Sequence, residues 1–324
     1  MMKAIVCTAY GSPDVLQLTE VEKPTPQHDE VLVKVHAATV TMGDCELRNL
    51  TLPMWTRIPA RLIMGWTKPR RFIPGMELSG VVESVGKDVT DFKIGDEVLG
   101  SSGITMGACA EYKKIKARSV AIKPVGVTFD EAATIIVGGL NALHFLRKAN
   151  IIAGQKVLVI GAGGSIGSYA VLLAKHFGAE VTAIDRTHKL DAIKKSGADH
   201  VIDYTKEDFT KNGKKYNVIF DVVYSSSFSA CINALKDDGC YLMANTNPTR
   251  MLLGLWKSWT TQKKIIFALA GESVADMKYI TELIASNKIK PLIDKRFPLA
   301  QTAVAHRYVE GGHKTGNVII TVGE

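Results

Sequence analysis

The stretch VLVIGAGGSIGSYAVLLAKHFGAEVTAID, residues 157–185, decides the fold. An apolar run, Val157 to Ile160, leads into Gly161, Ala162, Gly163, Gly164, Ser165, Ile166 and Gly167, and a helical pattern follows. A second apolar run ends at Asp185, 18 residues after Gly167. A strand, a glycine turn, a helix and a second strand closed by a carboxylate are the parts that a dinucleotide requires. The turn lets backbone approach a pyrophosphate, and the amides and positive end of the helix meet its charge. Gly161 is assigned to the turn, Gly163 and Gly164 to the close approach, and Gly167 to helix–strand packing. Asp185 would accept hydrogen bonds from a ribose diol and favour NAD(H), whereas Arg186, His188 and Lys189 directly after it would pair with a 2′-phosphate. The residues alone leave that choice open.

Working outward, apolar runs at 181–184, 200–203, 218–223, 240–244 and 264–269 continue the pattern after 157–160. Helical stretches separate the first five, while the segment before Lys264 reads as long and irregular. This alternation predicts an α/β domain with a doubly wound six-stranded parallel sheet. Residues 130–149 read as one helix before it, and 276–286 as a last helix. Upstream, short runs at 31–37, 78–85 and 97–99, punctuated by Gly80, Gly86, Gly95 and Gly100, predict a compact β barrel or sandwich. The expected domains are 1–124, completed by 292–324, and 125–291. The uncharged run 157–174 contains four glycines and changes character halfway, so it reads as strand–turn–helix and not as a membrane span.

A chain of 324 residues at 46% hydrophobic and 22% charged is long enough for two domains and excludes disorder, collagen and coiled coil as whole-chain descriptions. Five cysteines, scattered and without C-x-x-C spacing, exclude a disulfide framework and a cysteine-rich zinc site, and a cytoplasmic location is expected. The net charge of +8 is concentrated in two segments. Residues 50–72 carry Arg57, Arg61, Lys68, Arg70 and Arg71 with no acid, and residues 249–264 carry Arg250, Lys257, Lys263 and Lys264 with no acid. The same segments hold all four tryptophans, Trp55, Trp66, Trp256 and Trp259.

PGMELSGVVESVGKDVTDFKIGDEVLG (74–100), FDEAATIIVGGLNALHFL (129–146), GAGGSIG and the terminal GHKTGNVII together resemble the medium-chain dehydrogenase/reductase superfamily. The chain is most similar to its zinc-free quinone oxidoreductase (zeta-crystallin-like) branch. The resemblance covers nearly the whole chain. It implies a GroES-like β-barrel catalytic domain and a six-stranded Rossmann domain. Where zinc members place Cys, His and Cys, this chain has Thr41, Met76 and Val137, so no metal is expected. Thr41 also replaces an Asn usual in the branch, while Asp44 and Arg48 match an Asp and an Arg and read as a structural pair. Asn141 stands where a Thr near the nicotinamide is usual. The resemblance places Lys189 and Tyr204 at the 2′-phosphate, which tilts the reading to NADP(H), with NAD(H) the alternative. Asn317 stands where a Lys contacts the pyrophosphate.

Without metal, hydride must pass to an acceptor that is already electrophilic, which implies a small hydrophobic quinone or an α,β-unsaturated carbonyl. Thr41 and Asn141 are the candidate orienting hydrogen-bonders. Trp55, Trp66, Trp256 and Trp259 are expected to form a substrate lid, with a membrane-surface patch or ordinary core as competing readings. A homodimer is implied by the resemblance, and no nucleic-acid partner is expected. The alternatives are a zinc-free alcohol dehydrogenase and a cofactor-binding protein with little turnover.

Overall fold

A computed structural model describes residues 1–323 except Arg71, Ser225 and Leu269, and excludes the side chains of Met54, Trp55 and Ile104. The chain divides into two compact units, one of Met1–Val137, Glu272–Ala285 and Ile293–Glu324, the other of Gly138–Gly271 and Ser286–Leu292.

The first unit opens with a hairpin of β1 (Met2–Cys7) and β2 (Leu16–Val21). There follow β3 (Glu30–Val40), α1 (Met42–Asn49), α2 (Met54–Met64), β4 (Glu77–Val85), β5 (Glu97–Ser101), β6 (Tyr112–Lys116), β7 (Val120–Ile122) and α3 (Phe129–Ala133). In the second unit α4 (Asn141–Ala149), β8 (Lys156–Ile160), α5 (Ser165–His176), β9 (Glu180–Asp185), α6 (Leu190–Lys195) and β10 (His200–Asp203) come first. It continues through β11 (Tyr216–Asp221), α7 (Phe228–Ala234), β12 (Leu235–Met243), α8 (Pro248–Thr260) and β13 (Lys264–Phe267). Then α9 (Val274–Ala285), β14 (Ile293–Pro298), α10 (Thr302–Glu310) and β15 (Asn317–Thr321) return to the first unit.

The second unit carries one six-stranded sheet in the order β10-β9-β8-β11-β12-β13, parallel throughout. Its strands leave the first central strand in both directions, the doubly wound order expected, with the turn after β8 at the reversal point where ligands bind in such sheets. Leu158, Ile160, Ile184, Ile219, Tyr241 and Met243 pack one of its cores. Burial of each such side chain contributes roughly 2 kcal/mol. The first unit has the GroES-like architecture, a seven-stranded sheet ordered β14-β15-β3-β4-β5-β7 with β6 on β3, wrapped on a core that includes Val33, Val35, Leu78, Val98, Val318 and Ile320. The run 157–174 forms β8, its turn and most of α5, and among the described residues no helix is long and apolar enough to cross a membrane.

Four features differ from the sequence reading. Residues 130–149 are not one helix: α3 gives way to a π-helical stretch, Ile135–Leu140, before α4. The cause is local. The Val137 N–H donates out of the helical ladder to Glu77 Oε2 at 2.7 Å, and Gly138 and Gly139 tolerate the widened turn. Residues 125–137 also belong with the barrel, held by that bond and by Ser79 Oγ donating to the Phe129 carbonyl at 2.5 Å. The expected boundary at 124/125 thus moves to Val137, and α9, packed on β7, joins the same unit. The segment before Lys264 is a regular helix, α8, because Asn247 accepts from the Arg250 N–H at 2.8 Å and Pro248 sits in the first turn. Residues 54–64 likewise form a helix, α2.

Candidate functional site

The glycine turn draws most of the nucleotide candidates together within the second unit. Gly161 takes φ +83°, a left-handed conformation that glycine adopts without strain, and its N–H and that of Ala162 donate to the Ile184 carbonyl at 3.0 and 3.2 Å. A Cβ on Gly167 would stand 2.1 Å from the Gly161 carbonyl oxygen, so glycine here sets how closely α5 approaches the turn. Gly163 has a different role from the expected one. Its missing side chain faces Lys189 Cδ and Asp185 Oδ2, at 2.6 and 2.9 Å from an ideal Cβ, and not an empty cradle. Gly164 keeps the open side, where the nearest atom to an added Cβ is the Gly161 oxygen at 3.4 Å. The α5 ladder starts when Ser168 N–H donates to the Gly164 carbonyl at 2.9 Å. The amides of Ile166 and Gly167 therefore precede it, at a helix end that no side chain caps.

Asp185 ends β9 and is buried. Oδ2 accepts from the Gly163 N–H at 2.7 Å and Oδ1 from the Arg186 N–H at 2.8 Å, with Lys189 Nζ at 3.5 Å. The carboxylate thus fastens the turn to the second strand and is not presented outward. Arg186 is exposed and donates through Nε to the Tyr204 hydroxyl at 2.6 Å, while the Tyr204 N–H donates to the Asp185 carbonyl at 3.3 Å. Arg186, Lys189 and Tyr204 are therefore neighbours. The nearby acid, Asp203, is occupied by Thr187 and Thr205, whose hydrogen bonds hold its carboxyl down at about 2. Uncapped amides and an open glycine match the needs of a dinucleotide's pyrophosphate, so the donor set fits a nicotinamide dinucleotide. Asn141 opens α4 in the same unit, half-buried.

The first unit holds the remaining candidates. Thr41 is the N-cap of α1: its hydroxyl donates to Asp44 Oδ2 at 2.6 Å and accepts from the Asp44 N–H at 3.3 Å, a closed capping box. In this structure its one proton goes to Asp44. Asp44 also accepts from the Gly75 N–H at 3.0 Å. Burial raises its carboxyl above the ordinary range, and the hydrogen bonds it accepts from the Thr41 hydroxyl, the Thr41 N–H at 2.8 Å and the Gly75 N–H oppose that. The expected Asp44–Arg48 pair does not form, because Arg48 instead pairs with Glu310 and donates through Nε to the Gly11 carbonyl at 3.1 Å. Asn317 begins β15 and is buried in this unit, apart from the glycine turn in the chain's division.

Two constellations in this unit escaped the sequence. Glu77 is fully buried, takes the Thr39 hydroxyl on Oε1 and the Val137 N–H on Oε2, and is pushed up to about 7 by burial. Cys45 Sγ lies 3.4 Å from His306 Nδ1. Burial pushes that thiol up to about 12 and the imidazole down to about 3, so the pair stays neutral and is no nucleophile. All five cysteines are buried and free. Among the described residues no group of three His, Cys, Asp or Glu is placed to hold a metal ion. Thr41 gives its proton to Asp44, Met76 and Val137 offer no ordinary zinc ligand, and both Glu77 oxygens are engaged. These residues do not fit a catalytic zinc.

Of the tryptophans, Trp66 follows α2 in the first unit, exposed, with Arg61 against its ring at 5.7 Å. Trp256 and Trp259 project from α8 in the second unit, also exposed, which is not the burial of core residues. The Trp55 side chain and Arg71 lie outside the described residues.

Comparisons with known proteins agree with this geometry. Residues 27–176 match the family described as "Alcohol dehydrogenase GroES-like domain" and residues 196–320 that described as "Zinc-binding dehydrogenase". The chain is 33% identical to a quinone-oxidoreductase homolog, chloroplastic, of Spinacia oleracea, over 99% of this chain and 98% of that protein. It is 31% identical to an NADPH-dependent alkenal/one oxidoreductase, chloroplastic, of Arabidopsis thaliana, over 98% and 79%. Among solved structures, the quinone oxidoreductase from Coxiella burnetii superposes with a TM-score of 0.89 at 27% identity, covering 99% of both chains. With the doubly wound sheet, the glycine turn and the barrel already in place, this chain belongs to the medium-chain dehydrogenase/reductase superfamily, in its quinone oxidoreductase branch.

Proposed function

We propose that this chain is an NADPH-dependent reductase of quinones and α,β-unsaturated carbonyls. The observation that carries the cofactor assignment is the state of Asp185. Its two oxygens serve the Gly163 and Arg186 amides while Arg186, Lys189 and Tyr204 gather beside it. A ribose diol finds its usual acceptor engaged, and a 2′-phosphate finds the exposed Arg186 and the Tyr204 phenol, with Lys189 buried behind them against Asp185. The name of the Arabidopsis relative, an NADPH-dependent alkenal/one oxidoreductase, supports the same cofactor and the acceptor class.

When bound, the reduced nicotinamide supplies the hydride. The chain's share is binding and orientation. The Gly164 side of the turn and the first amides of α5 hold the pyrophosphate, and Arg186 and Lys189 hold the 2′-phosphate. Asn141 is assigned an amide donor to the substrate oxygen. Thr41 acts at one remove, fastening α1 and the Gly75 backbone through Asp44. Conjugation in the acceptor spreads the incoming charge, so the reaction asks for placement more than for a strong acid. The edge strand β13 supports a homodimer, which sedimentation equilibrium tests.

The direct test follows NADPH and NADH absorbance with a panel of quinones, enals and simple ketones, with and without chelator. Turnover of quinones or enals that a chelator leaves unchanged is expected. Reduction of simple ketones alone, or cofactor binding without any turnover, overturns the assignment. Changing both Arg186 and Lys189 to alanine is expected to raise the KM for NADPH about thirtyfold or more, with that for NADH moving less than about threefold. Equal losses for the two cofactors reject the 2′-phosphate site.

A further inference from the structure

Helix α8 is amphipathic in the wrong sense for water. Toward its own sheet it turns small residues. Gly254 is buried, with Ile265 Cγ2 at 2.9 Å from any added Cβ, and Ser258 Oγ accepts from the Ile265 N–H at 3.0 Å. Away from the sheet stand Leu252, Leu255, Trp256 and Trp259, exposed by 68, 57, 53 and 87%. Their spacing of three, four and seven residues makes one continuous stripe along the helix. Single exposed apolar side chains are ordinary, but a stripe of two leucines and two tryptophans is the kind of surface that marks an interaction.

The charges around the stripe say what covers it. Residues 249–264 hold four cations and no acid. Arg250 turns inward to the Ser226 carbonyl and the Tyr224 ring, and Lys263 is tied to the Lys236 carbonyl at 2.8 Å and to Asp237 at 3.6 Å. Lys257 lies at the stripe itself, its Nζ 4.8 Å from the Trp256 ring centroid, and Lys264 is exposed just beyond the helix. Indole rings with lysines beside them suit a headgroup layer, where the ring sits at the boundary and the ammonium reaches anionic phosphates. A second copy seated α8 on α8 would bring two acid-free cationic segments together. The 13 residues of α8 are too few to span a bilayer, which takes about 20, so the helix would lie along its surface.

We propose that α8 docks this protein on an anionic lipid surface, with Leu252, Leu255, Trp256 and Trp259 immersed and Lys257 and Lys264 among the headgroups. This holds whatever the acceptor is, and its test requires no turnover.

The full chain is sedimented with vesicles of phosphatidylcholine containing about 30% phosphatidylserine and with vesicles of phosphatidylcholine alone. Binding to the anionic vesicles is expected to be about tenfold tighter and to weaken as salt is raised. Changing Leu255 and Trp259 together to serine is expected to reduce it about tenfold or more, with the thermal melt by circular dichroism unmoved because both side chains are exposed. Lys257→Glu is expected to weaken anionic binding with the stripe intact. The proposal is overturned if the wild type stays in the supernatant at low salt, or if the double variant sediments as the wild type does. It is equally overturned if wild-type binding ignores lipid charge and salt, or if the double variant changes the oligomeric state and not lipid binding. A rise in the KM for a water-soluble quinone without any lipid binding by the wild type returns the stripe to a substrate cover and also overturns it.

Discussion

Gly167→Ala is expected to cost the protein both its dinucleotide and a large part of its stability, whereas Gly164→Ala costs only the dinucleotide. The added Cβ at 167 stands 2.1 Å from the Gly161 oxygen and 2.8 Å from Ala162 Cα, both backbone atoms that no rotamer change can move. α5 must therefore back away from the turn. Overpacking of this kind costs about 2–3 kcal/mol. Because the first amides of α5 move with the helix, NADPH affinity is expected to fall at least about hundredfold. At 164 the nearest atom is 3.4 Å away and the backbone is extended, with φ −85° and ψ 174°, so alanine fits the folded chain. With the pyrophosphate placed as proposed above, the alanine methyl would stand in the pyrophosphate's space. Calorimetric titration with NADPH beside thermal melting separates the two effects. If Gly164→Ala keeps wild-type affinity, the pyrophosphate does not lie over this turn.

The second large effect lies in acid. His306 is fully buried and its imidazole is pushed down to about 3, by burial first and the neighbouring Arg48 charge second. In the unfolded chain the same ring titrates near its ordinary value of about 6.5. The unfolded state thus binds the proton more readily. The stability contributed by the neutral ring is fully present above about 6.5 and is lost as pH falls toward 3, a change on the order of 5 kcal/mol. Glu77 runs the other way. With its folded value raised to about 7, its contribution is full below the ordinary carboxyl range and is lost as pH rises through 7. Urea unfolding of the wild type and His306→Gln at pH 7 and pH 4 isolates the histidine. The variant is expected to be less stable at pH 7, having lost packing in the barrel core, and to lose far less on acidification. Parallel losses in the two proteins would show that His306 does not govern the acid limb.

Much of the second unit could be read from residues in order. The turn at Gly161 and the packing of Gly167 follow from glycine spacing after an apolar strand, and the sheet order follows from alternating strands and helices. Two pieces left out of the sequence reading carried local signals. Thr41 with Asp44 three residues on is a capping-box spacing, and Asn247 with Pro248 is a helix start. Other partners had none. Arg48 with Glu310, and Cys45 with His306, are about 260 residues apart and meet only because α10 returns to the barrel beside α1. The outward face of α8 was equally hidden, since it depends on which residues Ile265 admits.

By itself, the sequence determined the order of parts: a glycine turn between an apolar strand and a helix, six alternating strands, and the absence of ordinary zinc ligands at 41, 76 and 137. These are properties of neighbours along the chain, fixed by backbone sterics and side-chain periodicity. The tertiary structure alone decided that Asp185 faces the Gly163 amide, that Glu77 holds the turn at Val137, and that Cys45 and His306 stay neutral. Desolvation and charge act through space, and the groups that bury or face a side chain come from strands and helices distant in sequence.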